Sequence, residues 1–91
     1  MEVRVTLAGA WWLNRRGRRL YVWATPVGRA WLTLRWSRND PGGIEFHRVE
    51  CQGVAVFVQE GMPGKWVEIG IGLFPPGIAV TSDDSRWATP S

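Results

Sequence analysis

Residues 11–23, WWLNRRGRRLYVW, set four arginines around one glycine and bracket them with three tryptophans and a tyrosine. Guanidinium groups grip phosphates in bidentate fashion and also stack on planar rings. Indole and phenol rings stack on unpaired bases at about 1–3 kcal/mol each, with little regard for base identity. The chemistry on offer is recognition of an anionic chain with exposed bases rather than bond making.

Catalytic groupings are harder to find. His47 and Cys51 are four residues apart, which in a strand separates them by about 13 Å, against the roughly 3 Å of a proton transfer. Cys51 reads as a small interior residue beside Val49, and Glu45 and His47 as outer-face groups. Lys65 in GMPGKW lacks the spacing and the following helix of a phosphate loop and reads as a turn. Asp83 and Asp84 are adjacent, so their carboxylates diverge and would need several more oxygens to hold a divalent ion. One cysteine and one histidine exclude an internal disulfide framework and fall short of a structural zinc site. The expectation is a non-catalytic protein with no metal and no cofactor.

Charge is distributed unevenly. The chain of 91 residues carries a net charge of +3. Residues 1–38 hold eight arginines against Glu2 alone, whereas residues 39–91 hold three basic residues against seven acids. Such asymmetry points to a basic surface for an anionic partner, or to two complementary surfaces on one molecule. The N-terminus lacks the continuous apolar run of a signal peptide, and no apolar run approaches the roughly 20 residues that cross a bilayer. The expectation is a cytoplasmic protein with no membrane partner.

These side chains need strands to hold them. Glycine and proline divide the chain into short pieces, and none shows a sustained 3.6-residue apolar period. The pattern predicts an all-β domain over 1–81, a small antiparallel sandwich or barrel of about seven short strands, followed by a polar C-terminal tail over 82–91. Val3, Val5 and Leu7 alternate as a first strand, with Gly9 marking a bulge or bend before Trp11. Asn14 to Arg19 forms a hairpin turn into a strand over 19–25, Thr25 to Gly28 turns again, and 29–38 is the clearest strand. Further strands are expected near 44–51, 54–60, 65–74 and 78–82.

Period-two alternation then sorts the side chains. Leu20, Val22 and Ala24, with Ala30, Leu32, Leu34 and Trp36, point inward. Arg19, Tyr21 and Trp23, with Arg29, Trp31 and Arg35, point outward, and Arg15, Arg16 and Arg18 extend the positive field from the turn. The expected function is a nucleic-acid-binding module, single-stranded DNA or RNA favoured. Arg15, Arg16, Arg18, Arg19, Arg29 and Arg35 would meet phosphates, and Tyr21, Trp23 and Trp31 would stack on bases. The alternative is a protein-interaction or self-assembling domain, such as a small viral structural, host-inhibiting or regulatory adaptor protein, that sets this face against an acidic protein surface. It would join copies head to tail into a homo-oligomeric ring or filament.

Overall fold

The computed structural model describes residues 1–29, 31–73 and 76–83. Seven strands and one helix follow in the order β1 (Glu2–Val5), α1 (Leu7–Asn14), β2 (Arg19–Val27), β3 (Trp31–Ser37), β4 (Phe46–Cys51), β5 (Val54–Gln59), β6 (Trp66–Leu73) and β7 (Pro76–Ser82). They form a three-stranded sheet, β1-β6-β7, and a four-stranded sheet, β3-β2-β5-β4. The all-β class and the two-sheet arrangement match the sequence pattern, and the sheets do not close into a barrel. Of the expected tail, all beyond Asp83 lies outside the described residues.

The core lies where the two inner faces meet. Leu20, Val22, Val54, Val56 and Val58 come from the larger sheet, Val5, Val67 and Ile69 from the smaller, and Leu13 from the helix. Each such side chain contributes about 1.5–3 kcal/mol on leaving water. β5 shows the cause most plainly, since its three valines are buried while the residues between them are half-buried.

Four local expectations are corrected. The first hairpin does not form, because residues 7–14 are helical and β1 and β2 belong to different sheets. Thr6 starts the helix: its hydroxyl accepts from the Gly9 N–H at 3.0 Å and its carbonyl from the Ala10 N–H at 2.8 Å. No polar face marks LAGAWWLN, so the amphipathic period that normally announces a helix is missing. Gly9 is therefore no bulge. It lets α1 lie against β6, where an added Cβ would sit 2.8 Å from the Ile69 carbonyl oxygen.

The second correction concerns direction. β1 runs parallel to β6 and β2 parallel to β5, while β2–β3, β4–β5 and β6–β7 are antiparallel. The helix makes this possible by carrying the chain from one sheet to the other. The third moves the turn expected at 25–28, because β2 continues through Pro26, paired with Leu32, to Val27, and Gly28 takes the positive φ. Proline is accommodated because β5 pairs with β2 only as far as Val22. Beyond that point the Ala24 N–H turns instead to the Gln59 side-chain oxygen at 2.9 Å, and the Pro26 nitrogen, two residues on, points to the same open side.

The fourth concerns β4. His47 pairs with buried Val58, so it shares the inner side with Val49 and Cys51 rather than the outer face. At the sheet edge its ring is half-buried and its Nδ1 lies 3.2 Å from Glu60. Cys51 is half-buried and packs on the core as expected.

Candidate functional site

Strand register defines the outer face of the four-stranded sheet. β2 contributes Arg19, Tyr21, Trp23 and Thr25; their β3 partners are Ser37, Arg35 and Thr33 for the last three. Trp31 closes the row opposite Val27. On the other side Tyr21 is level with Phe57, which is itself level with Arg48. The alternation that buries Leu20, Val22 and the β5 valines thus forces arginine, aromatic and hydroxyl side chains to the opposite side.

The aromatic groups touch one another. Tyr21 stacks on Phe57 with ring centres 4.5 Å apart and planes at 11°, and meets the edge of Phe46 at 5.2 Å. Trp23 meets Phe46 edge-on at 6.5 Å. One face of Tyr21 is therefore occupied by Phe57. Trp23 is half-buried, and Trp31 is open to solvent at 53% exposure. Of the three expected stacking residues, Trp31 presents the most free ring, Trp23 an edge-supported one, and Tyr21 a ring already half used.

The arginines divide into two groups. Arg19 lies on the sheet face, where its Nε donates to the Arg38 carbonyl at 3.0 Å and a terminal nitrogen to Asn39 Oδ1 at 3.4 Å. Arg35 sits beside Trp23 in the β2–β3 register, and Arg29 follows Gly28 in the turn, two residues before Trp31 in the chain. Arg15 and Arg16 belong to the end of α1 instead. Their guanidinium groups lie over Trp11 at 4.3 Å and Trp12 at 3.8 Å, and Arg16 also donates to the Trp12 carbonyl at 3.0 Å. Arg18, with φ of 57°, links the two groups through its carbonyl, which accepts from the Ala55 N–H. Among the described residues, the ion pairs are Arg4–Glu2, His47–Glu60 and Arg48–Glu50. All six expected phosphate-binding arginines stand outside those pairs.

Phe46, Phe57 and Arg48 extend the face but were not singled out by the sequence pattern. The signal was present in VAVFVQ, since three valines inside at 54, 56 and 58 place Phe57 outside. Among the described residues no group of three or more His, Cys, Asp or Glu is placed to hold a metal ion, and no helix is long and apolar enough to cross a membrane. Comparisons with known protein families, with curated proteins and with solved structures find no match to this chain.

Proposed function

We propose that the chain binds single-stranded nucleic acid on the outer face of the four-stranded sheet. The carrying observation is the sharing of one solvent-facing strand register by Arg35, Trp23 and Trp31, with Arg19 on the same face and no acid on either strand. In this reading Trp31 and Trp23 stack on successive bases, while Arg19, Arg29 and Arg35 meet phosphates. Tyr21, braced by Phe57 and Phe46, offers its remaining surface, and Phe46 supports Trp23 as well. Unpaired bases fit this platform better than a duplex, whose bases are already stacked on each other.

The test is a fluorescence titration of the intact chain with single-stranded oligonucleotides, alongside a duplex of the same sequence. Quenching that saturates, favours the single strand and weakens with added salt supports the reading. No change in tryptophan emission at low ionic strength refutes it. The alternative of protein contact is favoured by a different surface, where Leu7 and Trp11 of α1 stand 78% and 55% exposed.

A further inference from the structure

We infer that α1 and the outer face of the smaller sheet form a self-complementary surface that binds a second copy of this chain. The surface lies outside the proposed nucleic-acid face and does not depend on it. Leu7, Trp11 and Arg15 recur every four residues, so they form one stripe along the helix, about 12 Å from end to end. Two large apolar side chains this exposed on one helix are unusual for a chain that works alone, and tryptophan beside arginine is typical of interface anchors. Arg15 covers one side of the Trp11 ring, which stiffens the pair before any partner arrives.

Beside the stripe is a place to receive it. A depression of about 360 Å³ is lined by Thr6, Ala8, Glu68, Gly70, Ile71, Ala79 and Thr81. Ala8 belongs to the same helix, so protrusion and depression are parts of one continuous patch. Gly70 pairs with Ala79, and these minimal side chains keep the floor flat and low. Glu68 supplies the polar end. Its β1 neighbour Arg4 is already engaged, with a guanidinium nitrogen 2.9 Å from Glu2 and its plane over Trp66. Among the described residues Glu68 forms no ion pair.

The charges fix how two copies would meet. Glu68 lines the depression next to Thr6 and Ala8, at the start of α1, whereas Arg15 closes the helix. Two helices packed antiparallel about a two-fold axis bring each Arg15 to the other copy's Glu68 and each Leu7–Trp11 stripe to the other's depression. A parallel arrangement would set like charges together. The patch is thus complementary to itself in one orientation, as a closed two-fold dimer requires. It differs from the head-to-tail joining of basic and acidic halves expected from charge asymmetry, which need not close.

Sedimentation equilibrium on the intact chain tests this. The wild type should sediment as a monomer–dimer equilibrium. Trp11→Ala should be monomeric with an unchanged circular dichroism spectrum, since that side chain is mostly in solvent. Arg15→Glu and Glu68→Arg should each weaken dimerisation by about tenfold or more, and the double variant should recover most of the loss. A wild type that stays monomeric across the accessible concentrations overturns the inference. So does a double variant no better than the singles, or a dimer indifferent to Trp11.

Discussion

Replacing Gly9 by alanine should destabilise the protein, although alanine is by far the better helix former. The exchange would gain about 1 kcal/mol in an isolated helix. Here the new methyl group would sit 2.8 Å from the Ile69 carbonyl oxygen and 3.3 Å from the Gly70 Cα. Both neighbours are backbone, and Ile69 is held from the other side by burial of its side chain and by the Thr6 N–H, which donates to the same oxygen at 2.9 Å. Relief therefore requires the helix to move as a unit, which strains the Thr6 cap and lifts Leu13 from the core. Overpacking of this kind costs typically about 1–3 kcal/mol, and its upper range applies where no side chain can yield. The net loss should be about 1–2 kcal/mol, a fall in melting temperature of roughly 5–15 °C for a domain this small. Urea unfolding of Gly9→Ala and wild type, followed by circular dichroism, measures the difference. A variant as stable as wild type, or more so, would show that α1 does not rest against β6 as described.

Leu13→Ala should cost about 2–5 kcal/mol in the same assay, because Leu13 is wholly buried although it comes from the helix. In oligonucleotide binding, three phosphate contacts from Arg19, Arg29 and Arg35 give a salt slope of about −2, and Arg35→Ala should reduce its magnitude by about 0.7. Trp31→Ala should weaken binding by about 1–3 kcal/mol while leaving that slope unchanged and the fold intact, measured by titration and melting. Partial removal from water pushes the Asp83 carboxyl upward, but hydrogen bonds from the Lys65 and Trp66 N–H groups, at 2.7 and 3.2 Å, outweigh this and hold it below its ordinary value. Its stabilising effect is therefore complete above the ordinary carboxylate range and lost as pH falls through the lowered value. Asp83→Asn should flatten that part of the acid unfolding curve.

Alternation made the larger sheet legible. Leu20 and Val22 against Arg19, Tyr21 and Trp23 is a strong signal, because a shift by one residue would bury a guanidinium group. Trp36 shares the inner side with Val22 yet remains 39% exposed, since β3 is an edge strand and the three-stranded sheet is narrower. The helix was illegible for a specific reason: it buries Gly9, Ala10 and Leu13 while leaving Leu7 and Trp11 outside, so apolar residues surround it. Parallel pairing was equally hidden, because a strand's own pattern does not record the direction of its neighbour. At the site, Asn14 and Gly17 mark the turn that does hold Arg15 and Arg16, but the helix before it, which sets those arginines over Trp11 and Trp12, carries no such mark.

The parallel pairing of β1 with β6 also constrains when this chain can fold. Val5 finds its neighbour only when Ile69 is present, and Leu20 its neighbour only when Val56 is. Ribosomal synthesis therefore delivers the basic N-terminal half well before the segments that complete its hydrogen-bond ladders. Closing such long loops is slow, with milliseconds to seconds expected for topologies of this kind. During that interval the valines and tryptophans of residues 1–38 stay uncovered, interspersed with eight arginines and a single acid.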